Sequence, residues 1–353
     1  MTRRRAAIGA AAIAGVVVLG AVILGGGSGD DRRRSPDPGE VEEITSAEAL
    51  GASAIHDFAV GADGMIYLAV GGGDEDDRRA VISISRQGRR STLLRAGGEG
   101  EAGVGDARAV AVGRDDVLYV VDAEDQRVLT RSPDGRVEKI GSYAPPKSAA
   151  NTAPGLDYIS EMAVDVRTGD VYLASDSKID RLSPDGELMT VAGARRDYDA
   201  ELELTAGTFA VESDQSKGPG AAFRFSSLEG VAYDSIEAVL YALDYGRLIR
   251  IDPRGELEVL PRGELSFDGD ITYDLEQKNL YAGAGSLTND GVARIKPDGE
   301  ALLLSGSDPA AHVADHIATD SGGNLYWLFD GTDTIDAVGD LLSELRVDLK
   351  PDR

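Results

Sequence analysis

VAVGRDDVLYVVDAEDQRVLTRSPDGRVEKI, residues 110–140, holds four short apolar segments separated by three turns. The apolar and polar residues alternate at short period, and the segments are rich in Val, Ile, Leu and Tyr, which specifies β-strands and not helix. Its first half recurs along the chain. The copies are FAVGADGMIYLAV (58–70), MAVDVRTGDVYLAS (162–175), VAYDSIEAVLYALD (231–244), ITYDLEQKNLYAGA (271–284) and IATDSGGNLYWLFD (317–330). Each places a tyrosine at the same point of its second strand: Tyr67, Tyr119, Tyr172, Tyr241, Tyr281 and Tyr326. The second half recurs as a turn, SPDG at 132–135 and 183–186, DPRG at 252–255, KPDG at 296–299 and a weaker SRQG at 85–88. Pro presets the first turn position, and Gly takes the left-handed one that closes the hairpin. A four-stranded unit cannot bury both of its faces alone, so its copies must stack around an axis. The expected fold is an all-β, six-bladed β-propeller over residues 40–349.

Closure of such a ring is also written in the sequence. GEVEEITS (39–46) matches GRVEKIGS (135–142), the outermost strand of the second unit. Residues 40–45 are therefore expected to supply the outer strand of the last blade, 317–338. The competing outer strand is SELRVD (343–348).

The 353 residues contain no cysteine, which excludes disulfides, thiolate metal sites and a cysteine nucleophile. A formal net charge of −26 argues against a nucleic-acid partner, because a phosphate backbone needs a basic stripe. Residues 1–5 form a basic tail, and 6–27 are apolar and uncharged. About 20 such residues span a bilayer core, so 6–27 reads as a transmembrane signal-anchor, with a cleaved signal peptide as the alternative. Residues 28–39 are a flexible linker. The expected placement is a single-pass membrane protein with the propeller outside the cell, or else a secreted one.

The units resemble NHL repeats, whose six-bladed architecture is shared with the gluconolactonase, paraoxonase and strictosidine-synthase group. The resemblance rests on 110–140 above, on EGVAYDSIEAVLYALDYGRLIRIDPRGELEVL (229–260), and on a Gly-rich connector between AGARRDY (192–198) and DQSKGPGAAFRF (214–225). Such propellers gather ligands on the face where strand one begins. The insertions 71–79, 96–107, 143–158, 194–226 and 285–291 fall on that face, and long loops on a rigid scaffold are where function usually sits. ELELTAGTFAVES (201–213) has the alternation of a small hairpin over it.

The gluconolactonase group implies a divalent cation, Ca2+, in the channel, held five residues before the acidic residue that ends strand one. Carried across the units, that position is His56, Arg108, Ser160, Glu229, Gly269 and Asp315. Of these His56, Glu229 and Asp315 could bind metal, whereas Arg108 brings a positive charge and the group's Asn ligands are missing. One residue further lie Asp57, Ala109, Glu161, Gly230, Asp270 and His316, a second acidic ring if the register slips. No H-E-x-x-H zinc motif or G-x-S-x-G nucleophile elbow occurs. Two functions are therefore carried forward. The first is a non-catalytic module, like the extracellular NHL-type sensor portions of actinobacterial receptors, that needs no cofactor and binds a protein or envelope polymer on the top face. The second is a divalent-metal-dependent lactonase or esterase.

Overall fold

Short alternating segments joined by tight turns pair with their sequence neighbours, and the chain does this throughout. The computed structural model describes residues 41–50, 52–71, 80–97, 103–143, 159–175, 177–193, 217–220, 223, 225–261, 265–285, 290–304, 314–321, 324–329 and 334–338. Their strands pair into six antiparallel sheets. The first holds β2 (Ala54–Val60), β3 (Ile66–Gly71), β4 (Ala80–Ile84) and β5 (Arg90–Arg95). The second holds β6 (Ala107–Val112), β7 (Leu118–Asp122), β8 (Arg127–Arg131) and β9 (Val137–Ser142). The third holds β10 (Glu161–Val164), β11 (Val171–Ser175), β12 (Lys178–Leu182) and β13 (Leu188–Gly193). The fourth runs β15 (Leu228–Asp234), β16 (Val239–Asp244), β17 (Arg247–Ile251) and β18 (Glu256–Val259), with a fifth strand β14 (Lys217–Pro219) on its outer edge. The fifth holds β19 (Ser266–Asp274), β20 (Asn279–Gly285), β21 (Asp290–Ile295) and β22 (Ala301–Leu303). The last holds β23 (His316–Thr319), β24 (Leu325–Phe329) and β25 (Thr334–Val338), and its outer strand is β1 (Val41–Ser46).

The arrangement is a β-propeller. First strands contact one another in order, β2 to β6, β10, β15, β19 and β23, and β23 meets β2. Every landmark tyrosine lies in a second strand. Two of them stack on tyrosines from the next sheet's first strand: Tyr172 on Tyr233 at 4.5 Å between centroids, and Tyr241 on Tyr273 at 5.8 Å. The outer turns are built alike. The amide of Gly135 donates to the Ser132 carbonyl, Gly186 to Ser183, Gly255 to Asp252 and Gly299 to Lys296, each at 2.9 Å. These glycines all take φ between 80° and 92°, where other residues are strained.

Closure follows the expected pairing. β1 runs antiparallel to β25, with Val41 opposite Val338 and Ser46 opposite Thr334. Behind it Ile44 and Ala47, the latter on the short helix α1 (Ala47–Leu50), enter the core between the last and first sheets with Phe58, Tyr326 and Leu328. The competing strand at 343–348 lies outside the described residues, as do segment 6–27 and the hairpin at 201–213. Among the described residues no helix is long and apolar enough to cross a membrane.

Polar clamps on the channel face fix where the first strands begin. Asp122, at the end of β7, accepts the amides of Gly105 and Asp106, each at 3.1 Å, and pairs with Arg127 at 3.0 Å. Arg127 also donates to the Gly103 carbonyl at 2.9 Å. The fourth sheet repeats the device: Asp244 accepts the amides of Ser226 and Ser227, each at 2.7 Å, and pairs with Arg247. Arg247 in turn lies over the Phe223 ring at 5.2 Å.

Two stability outcomes are expected. Ile44→Ala, by opening a cavity behind the closing strand, lowers unfolding free energy by about 2–4 kcal/mol in denaturant titration. Arg127→Ala leaves the fully buried Asp122 carboxylate without its cation and lowers it by about 3–5 kcal/mol. Wild-type stability in either variant contradicts the corresponding role.

Candidate functional site

Each first strand starts at the channel, and four of the six register irregularly there. The pairing shifts between Ile55 and Asp57 in β2, Ala107 and Ala109 in β6, Leu228 and Gly230 in β15, and Phe267 and Ile271 in β19. The extra residues of the first three are His56, Arg108 and Glu229. A bulge sets two residues against one, which re-aims side chains that a flat strand would send to opposite faces.

The result is a cavity of about 270 Å³ at the channel mouth. His56, Arg108, Ser160, Glu229, Gly269 and Asp315 all line it, together with Glu161, Asp268 and His316. Arg108 is less of an intruder than the sequence suggests, because its Nε donates to Asp106 at 2.7 Å. Glu229 is half-buried. Burial first and Asp268 second push its carboxyl up to about 7, although the Gly246 amide hydrogen-bonds it, and its Oε2 has no hydrogen-bond partner.

The expected ligand trio therefore shares a mouth, but a different trio comes within ligand distance. One residue deeper, donor atoms of Asp57, Glu161 and His316 lie within 4.8 Å of one another. His316 Nδ1 stands 3.0 Å from Glu161 Oε1 and 3.4 Å from Asp57 Oδ1. For Asp57 the physical reason is the bulge at His56; Glu161 and His316 stand at the first paired positions of β10 and β23, which register regularly. The remaining members of this ring are Asp270 and two small residues, Ala109 and Gly230. A Cβ on Gly230 would stand 2.9 Å from the Ile271 amide nitrogen and 3.0 Å from Asp270 Cα, so only glycine lets β15 approach β19 this closely.

The buried carboxylates also join sheets. Asp57 accepts the amide of Phe58 at 2.6 Å and, from the second sheet, that of Val110 at 2.7 Å. Asp270 accepts Ile271 at 2.6 Å and, from the last sheet, Ile317 at 3.1 Å. These bonds favour the ionised forms, yet burial and the crowding of like charge win. Asp57 is held well above the usual carboxylate range by burial and by Glu161, with His316 opposing. Asp270 is raised by burial and Glu161, again against His316. Burial pushes Glu161 up to about 8.

No protein-family model and no curated relative matches the sequence. Solved structures do. A gluconolactonase from Xanthomonas campestris superposes with TM-score 0.54 at 16% identity, covering 85% of this chain and 89% of its own. A putative gluconolactonase gives TM-score 0.54 at 14% identity, covering 87% and 94%. Virginiamycin B lyase from Staphylococcus aureus gives 0.50 at 12% identity, covering 82% and 81%. At these identities the likeness speaks for the propeller fold alone.

The axial cluster has a pH signature. A carboxyl whose folded pKa exceeds its unfolded value, about 4.3 for Glu, binds extra protons in the folded state between the two values. Its contribution is complete at acid pH and is lost as pH rises through the folded pKa, about 8 for Glu161. With chelator present, the melting temperature falls between pH 5 and pH 8.5, and Glu161→Gln flattens that fall. A variant that keeps the wild-type slope places the protons elsewhere.

Proposed function

We propose that this protein is a divalent-cation-dependent hydrolase of small lactones or esters, with its active site in the channel cavity of a six-bladed, NHL-type propeller in which each sheet is one blade. The observation that carries this reading is the pair of tiers at the axis. A half-buried carboxyl with its pKa near neutrality faces a cavity floored by buried carboxylates and a histidine. Raised pKa values of this kind gather where protons are moved. Glu229, titrating near pH 7, is placed to accept a proton from attacking water and return it to the leaving alcohol. A bound dication supplies Lewis-acid polarisation of the carbonyl. Arg108 and the mouth carboxylates would orient the substrate. A cavity of about 270 Å³ suits a small molecule, since drug-sized ligands fill about 300–1,000 Å³.

A non-catalytic module that binds a protein or envelope polymer on the same face is the second reading. It is favoured by Tyr245, which is 70% exposed and held at φ 48° on the turn between β16 and β17. The insertions that would complete such a surface lie mostly outside the described residues. Under either reading, segment 6–27 would anchor the propeller outside the membrane or direct its secretion.

The test is turnover of a lactone and ester panel by purified 40–353, with added divalent cations and with chelator. Expected is chelator-sensitive hydrolysis whose kcat falls by about 10²-fold or more in Glu229→Gln. A cation-loaded protein inert across the panel, yet capturing an envelope polymer, transfers the assignment to the second reading.

A further inference from the structure

The carboxylate-and-amide calcium shell implied by the resemblance does not fit this channel. Calcium takes six to eight oxygen ligands, whereas the donors that converge here are two carboxylates and an imidazole nitrogen. Imidazole suits Zn2+ and other late first-row metals, the two carboxylates also suit Mn2+, and calcium takes oxygen ligands alone. We propose that the channel floor is a site for a transition-metal dication of the Zn2+ or Mn2+ class, held by Asp57, Glu161 and His316. This rests on the hydrolase reading for the cation's use, but not for its binding.

Three features beyond acidity point to a ligand. Glu161 is 5% exposed, and its Oε1 makes no hydrogen bond, although it faces the cluster. His316 Nδ1 makes none either, although it stands between two carboxylates. The two atoms stand at ion-pair distance, 3.0 Å, but make no aligned hydrogen bond, and a cation between them would satisfy both. The separations of 3.0 and 3.4 Å are those between neighbouring ligands on a cation about 2.0–2.2 Å from each.

The outer groups that metal sites require are also present. The Val110 and Phe58 amides fix the Asp57 carboxylate. Asp270 is a positioning residue: it binds the Ile317 amide, next in chain to His316, and so sets where β23 starts. Partners of this kind orient ligands and tune affinity. Three protein ligands below an open cavity leave positions for water and substrate, the pattern of catalytic rather than structural zinc.

The experiment is titration of chelator-treated 40–353 with Zn2+, Mn2+ and Ca2+ separately, by calorimetry and by metal analysis after dialysis. Expected is one Zn2+ or Mn2+ per chain, bound at least tenfold more tightly than Ca2+. Affinity falls by 100-fold or more in His316→Gln and Glu161→Gln, and stays within about threefold of wild type in His56→Ala, Asp315→Asn and Glu229→Gln. Circular dichroism confirms folding, and the wild-type metal preference stands independently of every variant. Calcium bound as tightly as zinc and manganese overturns the proposal, as does loss of metal with the mouth variants instead of the floor ones. Tight transition-metal binding without hydrolysis would retain this site and remove the hydrolase reading. Chelator-sensitive hydrolysis supported by calcium alone does the reverse.

Discussion

A ring of sheets is stable only if it has no seam. Each sheet here buries its faces against two neighbours, so an open ring would expose two apolar faces and a row of unpaired backbone groups. The chain meets this constraint by giving its first strand to its last sheet: β1 completes the hydrogen bonding of β25 and carries Ile44 into the core shared with β2. Everything at the axis inherits its position from that closure, because the six first strands converge only when the circle is complete.

The site then follows from how those strands begin. Asp122 and Asp244 grip the backbone just before β6 and β15, and bulges turn the next residues toward the mouth. Asp57 and Asp270 reach across to the amides of the following sheet. Structure and chemistry thus share the same carboxylates. Asp57 does both at once: its Oδ2 takes the Val110 amide of the neighbouring sheet, while its Oδ1 stands 3.4 Å from His316 Nδ1.

The sheets were legible because period-two alternation, the tyrosine landmark and the Pro-Asp-Gly turns recur with the same physical meaning in each unit. Closure was legible because GEVEEITS repeats the pattern of an outer strand already identified. β14 was not: Lys-Gly-Pro has no alternation, and it is a strand only because it lies along β18. The positions carried over from the family resemblance, His56, Arg108, Ser160, Glu229, Gly269 and Asp315, all line the cavity. The converging trio appeared only as an alternative register, and nothing in I-H-D-F announces the bulge that precedes Asp57. The pairing of Glu161 with His316 joins different sheets, which no local pattern reports.

The use of the first strand to finish the last sheet also sets a schedule for synthesis. β1 leaves the ribosome before the other described strands and waits for β25, so the pairing that seals the ring spans nearly all of the described chain. Contacts of such separation form late. Until then the nascent protein carries an incomplete final sheet and a strand without a partner, the state most exposed to pairing with a second chain. The polar character of V-E-E-I-T-S, with two glutamates on a strand that must remain alone for so long, is suited to that wait.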